Sequence, residues 1–414
     1  MSLITWLKMN WSEGVVASCV GLMLLGCQPA PDPFRQVQHL PLNTSVPCLT
    51  LGPDGEPILC YVRSDSGTHR LEHRAWNGQQ WGEVRSIAED SLMLVNWADR
   101  PQLAFGPNGT AFAHWLRIDE RGDFAYSIQA SRSQDQGKSW SAPEQPHRDA
   151  SIAEHGFAQW MPFEGGAALA WLDGRDFDGH SDPGSARMEV RSATWLNGEP
   201  WSEEVVLDSS ACTCCPMATL PLGSSQYELV YRDRLQGEIR DFNRMEIDTR
   251  SQEFRNLGAL HTDGWEIAAC PVNGASMCQN SERVLAVWYT AAQDEARIKM
   301  AWRMKGEKGE AAFQEPLELH QNPPLGRITC ATDDQGHFYA IWLETNATGG
   351  VDWMGHHWDA HGTPINPTPV PLIPASERRA GGFPTAMGIE QGVLVAWTNP
   401  FPSPHVMTAV WTPH

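Results

Sequence analysis

Seven aromatic residues recur along this chain at nearly constant intervals, and each of them closes a short apolar run. The intervals between them are 54, 56, 60, 57, 54 and 55 residues. The residues are Tyr61, Trp115, Trp171, Tyr231, Trp288, Trp342 and Trp397. A fixed repeat of this length, built from short strands, is typical of a β-propeller in which each repeat forms one blade. The period therefore predicts an all-β fold before any other motif is considered.

The second repeat illustrates the strands that each unit contains. An inner segment at residues 100–104 leads to the turn Pro107-Asn108-Gly109, and an apolar run at 111–115 follows. An alternating strand comes next at residues 126–130, and a further turn and strand complete the unit. Asn-Gly and Asp-Gly turns between apolar runs are typical of β-hairpins. We therefore expect four antiparallel strands in each blade.

The number of blades depends on how the two ends of the chain pair. The seventh unit, from Phe383 to Trp411, contains only three strands before the sequence ends. The stretch at residues 34–40 precedes the first inner strand and could supply the missing fourth strand. Such a closure would remove an open sheet edge. We therefore predict seven blades closed by the N-terminal strand, with six blades and an accessory hairpin as the alternative.

A local turn motif carries a family resemblance. Ser133, Asp135, Gly137 and Trp140 match the pattern S-x-D-x-G-x-x-W of the Asp box, and degraded copies occupy residues 76–81, 195–201 and 358–362. The Asp can accept hydrogen bonds from turn amides, the Gly can adopt a positive φ, and the Trp can pack between blades. On these residues the chain resembles the sialidase-like propellers with Asp-box (BNR) repeats. Sialidases of that group have six blades, which is one fewer than the seven repeat units of this sequence.

The N-terminal segment resembles that of a bacterial lipoprotein. An apolar stretch at residues 15–25 ends in Leu24-Leu25-Gly26-Cys27, which looks like a lipobox. We therefore expect a signal peptide at residues 1–27 with lipidation at Cys27, a Pro-rich tether at 28–33, and one propeller domain at 34–414. An ordinary signal peptide with another cleavage site is the alternative. The lipobox implies a lipid anchor in the bacterial cell envelope, on the periplasmic face of the outer membrane or on the cell surface.

The charge of the chain excludes some partners. Fifty acidic residues against thirty basic ones give a formal net charge of −20. Nucleic-acid binding requires basic patches, so we expect no nucleic-acid partner. Binding to an anionic lipid surface through charge alone is excluded for the same reason, and the lipid anchor would provide the contact with the membrane. The sequence sets no oligomeric state.

Four of the ten cysteines lie at equivalent places in two repeats. Cys212, Cys214 and Cys215 precede the inner strand of the fourth repeat, and Cys270 precedes that of the fifth. The Cys-Pro steps at 215–216 and 270–271 are 55 residues apart. Because inner strands line the axial channel of a propeller and start at one mouth, we expect these four cysteines to converge there.

Three chemistries fit this cysteine cluster. Four thiolates could bind a soft metal, copper(I) or zinc. Exported cysteines usually form disulfides, and Cys215–Cys270, or Cys212 with either of these, would be reasonable pairs. A free redox dithiol is the third possibility. The Cys-x-Cys-Cys run, with the Arg-Asp steps that follow it and the segment at 270–274, is similar to a bacterial subgroup of sialidase-like propellers. That subgroup is named by its fold, so the resemblance implies no particular reaction.

The sialidase resemblance also suggests ligand-binding and catalytic residues at the channel mouth. Several basic residues there could bind a carboxylate, as sialidases bind sialic acid: Arg100, His155, Arg175, Arg232 and Arg327. Weak candidates for a Tyr nucleophile, its activating carboxylate and a general acid are Asp173, Asp233, Glu266 and Tyr289. The first repeat lacks the Arg-Ile-Pro type motif of sialidases, so the catalytic set is incomplete, and each Arg could instead form a local salt bridge.

The sequence therefore leaves three functions open. The first is an exported binding protein whose site lies at the channel mouth and which holds copper or zinc at its cysteines. The second is an exo-sialidase-type glycosidase acting on acidic sugars. The third is a protein-interaction scaffold that its cysteines stabilise as disulfides. A small molecule, a glycan or a metal ion is the expected ligand.

Overall fold

The computed structural model describes residues 34–176, 187–306, 312–390 and 392–412, and these residues form a β-propeller of seven blades. The predicted signal peptide, the lipidation site Cys27 and the tether lie outside the described residues. Within them, two short 3-10 helices occur, at Ala292–Asp294 and Arg379–Gly381. No helix in this part of the chain is long and apolar enough to cross a membrane.

The strands follow the repeat in chain order. β1 (Phe34–His39) comes before the first blade and pairs elsewhere. Blade 1 consists of β2 (Thr44–Leu51), β3 (Pro57–Asp65), β4 (Thr68–Ala75) and β5 (Arg85–Asp90). Blade 2 consists of β6 (Gln102–Phe105), β7 (Ala111–Ile118) and β8 (Tyr126–Ser133). Blade 3 consists of β9 (His155–Phe163), β10 (Gly166–Asp173), β11 (Met188–Leu196) and β12 (Val205–Ala211).

The remaining blades have the same organisation. Blade 4 consists of β13 (Ala218–Pro221), β14 (Gln226–Arg232), β15 (Phe242–Asp248) and β16 (Phe254–Ala259). Blade 5 consists of β17 (Ser276–Gln279), β18 (Arg283–Thr290), β19 (Arg297–Met304) and β20 (Leu317–Glu318). Blade 6 consists of β21 (Pro324–Thr332), β22 (Phe338–Thr345), β23 (Val351–Trp358) and β24 (Val370–Pro374). Blade 7 consists of β25 (Thr385–Ile389), β26 (Gly392–Asn399), β27 (His405–Trp411) and β1.

The two ends of the chain close the ring in one blade. β1 pairs antiparallel with β27, with Phe34 opposite Trp411 and His39 opposite Met407. The prediction of seven blades closed by the N-terminal strand is confirmed, and the six-bladed alternative is wrong. The closure satisfies the outer edge of β27, which would otherwise present unpaired backbone groups.

All seven repeat aromatics lie in the second strand of a blade and are buried. The second strand has neighbours on both faces, because each blade packs against the blades before and after it. In β10 every residue is buried as a result. The core is accordingly made of clusters shared by adjacent blades, such as Val62 of blade 1 with Trp115 of blade 2. The sequence period reflects this packing.

Blade 2 departs from the predicted four strands. Its ladder has three strands, and the fourth position is reduced to a single bridge between Ala130 and Glu144. Glu144 is flanked by Pro143 and Pro146. Proline has no N–H group to donate, so this segment cannot extend a regular ladder.

The turn after β8, which the sequence predicts to be an Asp box, is held together by its own side chains. The Asp135 carboxylate accepts hydrogen bonds from the amides of Lys138 and Ser139 at 3.1 and 2.8 Å. Ser133 Oγ accepts one from the amide of Gly137, which has a φ of 77°. These bonds hold the turn in a fixed conformation. Trp140 packs against the cluster that blades 1 and 2 share.

Candidate functional site

A central cavity of about 440 Å³ runs along the axis of the propeller. First strands and the loops that precede them line it, from all seven blades. Its polar lining includes side-chain amides, hydroxyls and two ionisable groups: Thr50, Asp99, Arg100, Gln102, Gln159, Thr219, Ser276 and Thr329. The size lies within the range of about 300–1,000 Å³ that is common for small-molecule sites.

Asp99 is the least satisfied polar group of this cavity. Its residue is 1% exposed, and neither carboxyl oxygen has a hydrogen-bond partner among the described residues. Burial raises the pKa of Asp99 to about 8, and the charge of Glu154 acts in the same direction. The amide of Phe157 opposes this shift without reaching hydrogen-bond geometry. At neutral pH, Asp99 is therefore a protonated carboxyl group that can both donate and accept.

Asp99 lies at the contact between blades 2 and 3. A Cβ atom on Gly156 of blade 3 would come within 2.0 Å of Asp99 Oδ2 and 2.8 Å of a ring carbon of Tyr126. Only glycine leaves room for the carboxyl group at this point. Burial also raises the pKa of the neighbouring Glu154 to about 7. The buried Asp99 and the half-buried Glu154, both with raised pKa values, thus lie close together at this contact.

Arg100 is the predicted ligand-binding residue that lines the central cavity. Its Nη1 group donates to the carbonyl oxygens of Pro47, Phe383 and Pro384 at 3.2–3.4 Å. These contacts link blade 2 to blades 1 and 7 and fix the position of the guanidinium. The other predicted ligand-binding residues, His155, Arg175, Arg232 and Arg327, are not part of the lining.

His155 instead lines a second cavity, of about 430 Å³, between blades 2 and 3. Its Nε2 lies 3.0 Å from Asp149 Oδ1 and 3.7 Å from Asp173 Oδ1. Burial opposes protonation of His155, but the two carboxylates outweigh it and raise its pKa. The ring of His147 stacks on that of His155, with centroids 3.9 Å apart and planes 6° apart. Burial lowers the pKa of His147, so the pair carries one proton more readily than two.

His147, Asp149 and His155 are residue types that bind metal ions, and their ligand atoms lie within 4.8 Å of one another. An ion binds imidazole nitrogen in the plane of the ring. Two parallel stacked rings cannot place one ion in both planes. The arrangement is therefore a hydrogen-bonded acid–base cluster rather than a metal centre.

The buried Asp173 and the half-buried Arg175 form an ion pair beside this cluster. Arg175 donates to both carboxylate oxygens of Asp173 at 2.7 Å, and Trp171 Nε1 donates to Oδ2. Arg175 also contacts Glu204 at 2.6 Å. Burial opposes ionisation of Asp173, but Arg175 and His155 outweigh it and lower its pKa. Asp173 is thus an ionised, paired carboxylate, which is the opposite state from that of Asp99.

The four predicted cysteines do converge, but their pairing differs from the expected one. Cys214 and Cys270 form a disulfide with Cα atoms 6.1 Å apart, and it joins the loops that precede β13 and β17. The expected pairs were Cys215–Cys270, or Cys212 with either. Cys215 points into the core instead, where its side chain is buried. Because Cys214 and Cys270 are oxidised, the four cysteines do not present four free thiolates. Metal binding by all four stays a prediction for the reduced protein.

Cys212 and Cys215 remain as thiols beneath the disulfide. Each is 1% exposed, and their sulfur atoms are 3.8 Å apart. The hydrogen bond from the Cys215 thiol lowers the pKa of Cys212, and Arg240 and Arg232 add to the effect. Burial raises the pKa of Cys215. The first thiolate of this pair therefore forms at Cys212.

Arg232 and Arg327 bind main-chain carbonyls of neighbouring blades. Arg232 donates to the carbonyl oxygens of Asn273, Arg240 and Tyr289 at 2.6–3.3 Å, and its guanidinium lies over two aromatic rings. Arg327 Nη2 donates to the Glu377 carbonyl at 2.6 Å. A ligand carboxylate would have to replace these bonds. The contacts join blades 4, 5, 6 and 7 at the mouth.

The weak catalytic candidates are not brought together by contacts. Tyr289 packs edge-on against Trp265, and no hydrogen bond among the described residues joins its hydroxyl to Glu266, which is exposed. Asp233 lines a separate surface cavity, and burial raises its pKa to about 6, with help from Asp208. A catalytic role for these residues stays a prediction.

Sequence reasoning missed Asp99, Glu154, His147 and Asp149. Asp99 and Glu154 each come directly before a residue that was singled out, Arg100 and His155. Position at the start of an inner strand was therefore a usable signal. The burial of Asp99 and its lack of hydrogen-bond partners could not be read from the sequence, because they depend on contacts between blades.

Comparison with known proteins identifies the fold of this chain but not its family. The chain matches no family model and no curated protein sequence. An ulvan lyase bound to -[GlcA(1-4)Rha3S]- has a TM-score of 0.50 at 9% identity, covering 91% of this chain and 96% of that one. The resemblance to sialidase-like propellers is confirmed for the fold. At such an identity the similarity extends no further.

Two sialidases give similar but lower scores. A variant of the NanB sialidase from Streptococcus pneumoniae has a TM-score of 0.48 at 11% identity, over 90% of this chain and 94% of that one. The Hadza microbial sialidase Hz136 has a TM-score of 0.45 at 16% identity over 72% of this chain. The present chain spans 63% of the length of Hz136.

Proposed function

We propose that this protein binds a carbohydrate in its central channel, with Asp99 and Arg100 as the main polar contacts. The observation that supports this most strongly is the pair of unpaired carboxyl oxygens of Asp99 at the wall of the cavity. Leaving a buried polar group without a partner costs about 1–3 kcal/mol. A sugar hydroxyl that bonded to Asp99 would remove this cost.

The rest of the lining fits the same class of ligand. Gln102, Gln159 and Thr329 provide amide and hydroxyl groups that can bond to sugar hydroxyls. The Nη1 group of Arg100 donates to carbonyl oxygens. The remaining N–H groups of its guanidinium could bind a ligand carboxylate. An acidic sugar is therefore the favoured ligand. The ulvan lyase with the same fold is itself bound to a unit that contains GlcA.

A binding experiment tests the proposal. Glucuronate-containing and sialic-acid-containing oligosaccharides, with a neutral oligosaccharide of equal length, are titrated into the protein by calorimetry. We expect saturable binding of an acidic saccharide, weakened at least about tenfold in Asp99→Asn and in Arg100→Gln, which corresponds to about 1.4 kcal/mol. Asp334→Asn, at an exposed position, is the control and should bind as the unaltered protein does.

Failure of every saccharide to bind would contradict the proposal. So would binding that neither Asp99→Asn nor Arg100→Gln changes, because the ligand would then lie outside the channel.

Glycosidase activity is the more specific form of this proposal. Asp99, with a pKa of about 8, is protonated at neutral pH, which is the state that a general acid requires. Turnover of an aryl sialoside and an aryl glucuronide tests it. A loss of turnover in Asp99→Asn that persists at saturating substrate, beyond its weaker binding, would support an enzyme. Binding without turnover in the unaltered protein would restrict the function to recognition.

Soft-metal binding at the cysteines is a second candidate function. The sulfur atoms of Cys212, Cys214 and Cys215 lie within 4.8 Å of one another, and Cys270 is bonded to one of them. Reduction would give four thiolates suited to copper(I) or zinc. Metal content after anaerobic purification under reduction tests it. Near-stoichiometric metal that is absent from Cys212→Ser/Cys215→Ser would support the site, and metal-free reduced protein would exclude it.

We also propose that the protein is exported and lipid-anchored through Cys27. The support is the lipobox-like segment before that residue. Fractionation of Cys27→Ser against the unaltered protein tests it. Loss of membrane association is the expected result, and unchanged fractionation would contradict the anchor.

A further inference from the structure

The four clustered cysteines combine an exposed disulfide with a buried dithiol. Cys270 is exposed and Cys214 half-buried, whereas Cys212 and Cys215 are both 1% exposed. The two thiols are three residues apart in sequence, and their sulfur atoms are 3.8 Å apart. This distance is short enough for the thiols to form a disulfide after a small rotation of their side chains.

The disulfide lies within reach of the thiols. The sulfur atoms of Cys212, Cys214 and Cys215 all lie within 4.8 Å of one another. A thiolate needs access to a disulfide sulfur to exchange with it. The other free cysteines are not placed in this way: Cys48 faces Cys60 across a strand pair, and Cys278 contacts Cys330. Among the described residues, only one cysteine pair therefore lies beside a disulfide.

We propose that these cysteines form a thiol–disulfide exchange site that reduces an external disulfide with electrons from the buried pair. In the first step the Cys212 thiolate attacks Cys214 Sγ, which forms a Cys212–Cys214 bond and releases the Cys270 thiolate. The Cys215 thiolate then attacks Cys212 Sγ and releases the Cys214 thiolate. The disulfide has moved from Cys214–Cys270 to Cys212–Cys215, and no external oxidant or reductant is needed.

The migrated form presents a dithiol at the surface. The Cys270 thiolate attacks an external disulfide and releases one external thiolate, leaving a mixed disulfide at Cys270. The Cys214 thiolate attacks the Cys270 sulfur, releases the second external thiolate and restores the Cys214–Cys270 bond. The balance is one external disulfide reduced to two thiols, while Cys212 and Cys215 are oxidised by two electrons.

The substrate class follows from the positions of the sulfur atoms. An external disulfide can reach Cys270, which is exposed, whereas Cys212 and Cys215 are each buried with 1% of the residue exposed and neither lines the central cavity. Oxidation of the buried pair therefore has to pass through the exposed pair. This exchange does not depend on carbohydrate binding in the channel.

Oxidised glutathione is the probe for the main experiment. The native protein, containing the Cys214–Cys270 disulfide and treated with a chelator, is incubated with the probe, and disulfides are mapped by proteolysis and mass spectrometry. We expect a Cys212–Cys215 disulfide and release of two glutathione thiols per protein. In Cys214→Ser/Cys270→Ser the buried pair should oxidise at least about tenfold more slowly, because the relay through exposed sulfur is absent. Cys48→Ser/Cys60→Ser is the matched control and should react as the unaltered protein does.

A second measurement uses only the unaltered protein, so it does not depend on the folding of any variant. N-ethylmaleimide is added to the native protein without a reductant and traps any Cys270 thiol that internal exchange releases. We expect alkylated Cys270 together with a disulfide inside the peptide that contains Cys212 and Cys215. Uncatalysed disulfide rearrangement takes minutes to hours. If Cys270 stays unmodified over hours, the proposal is overturned. Oxidation of the buried pair at an equal rate without the exposed pair would also overturn it.

Discussion

The mouth of the channel differs between blades 2 and 3 on one side and blades 4 to 6 on the other. At blades 4 to 6, the groups that point across the ring are engaged: Arg232 binds three carbonyl groups, and the Asn273 side chain binds the backbone of residues 325 and 327. At blades 2 and 3, Asp99 is buried with both carboxyl oxygens unpaired. Asp99 lies in the loop before the first strand of blade 2, whereas Arg232 is the last residue of the second strand of blade 4.

The difference separates a structural role from a ligand-binding one. Satisfied polar contacts between blades stabilise the ring, and removing one partner leaves buried acceptors unpaired. An unsatisfied group beside a cavity destabilises the ligand-free protein and gains a partner when a ligand binds. We therefore expect substitutions at Arg232 to affect folding and substitutions at Asp99 to affect binding and pH dependence.

The largest expected effect is the pH dependence caused by Asp99. Its pKa is about 8 in the folded protein and 3.8 in the unfolded reference. The unfolded chain loses this proton first, so the free energy of unfolding should fall by about 1.4 kcal/mol per pH unit between about pH 4 and pH 8. Urea unfolding of the protein and of Asp99→Asn at several pH values checks this. The difference between the two should grow with pH in that window, and parallel profiles would refute the assignment.

Arg232→Ala should cost about 3–5 kcal/mol of stability, because it leaves buried carbonyl groups unpaired and removes the contacts with Phe242 and Trp265. Denaturant unfolding measures the loss. Arg63→Ala is the matched control, since its ion pair with Asp65 is 42% exposed on the Arg side and should contribute less than about 1 kcal/mol. Equal losses in the two variants would show that the mouth of blades 4 to 6 is not held by Arg232.

Removal of the disulfide should have a somewhat smaller effect. The Cys214–Cys270 bond closes a loop between residues 56 apart, and Cys214→Ser/Cys270→Ser should lower the free energy of unfolding by about 2–4 kcal/mol. The same loss should appear when the unaltered protein is unfolded under reduction. A stability that is insensitive to both treatments would mean that the noncovalent contacts of Arg232 suffice at this mouth.

The smallest effect on stability is expected in the turn after β8, which lies outside the two regions of the mouth compared above. Ser133→Ala removes the acceptor of the Gly137 amide and should cost about 1 kcal/mol. Gln134→Ala, at an exposed position in the same turn, should leave the unfolding midpoint unchanged. A Ser133→Ala loss as large as that of Arg232→Ala would remove the distinction between local and inter-blade contacts.

Most of the fold could be predicted because the repeat records the packing of each blade. The aromatic at the end of each second strand is buried by two neighbours, so its period gives the number of blades. Closure by β1 followed from counting strands in the last repeat. The loss of a regular fourth strand in blade 2 was not predicted, although Pro143 and Pro146 could have indicated it.

The site was less predictable because its chemistry depends on contacts between repeats. Convergence of the cysteines followed from the equal repeat positions of the Cys-Pro steps at 215–216 and 270–271, but the choice of Cys214 over Cys215 for the disulfide depends on which side chain faces the core. Arg232 was predicted to bind a ligand at the mouth, and its bonds to carbonyl groups of the next blade could not be read from the sequence. The environment of Asp99 arises from Gly156 in blade 3 together with Tyr126 in β8 of blade 2.

A crystal structure with a bound acidic oligosaccharide would test the central claim most directly. Crystals are soaked with a saccharide whose affinity has been measured in solution, and the same saccharide is tried with Asp99→Asn. The account predicts density in the central channel, with a hydroxyl within hydrogen-bond distance of Asp99 and a carboxylate near Arg100. Density confined to the cavity lined by His147 and His155, with an empty channel, would contradict it.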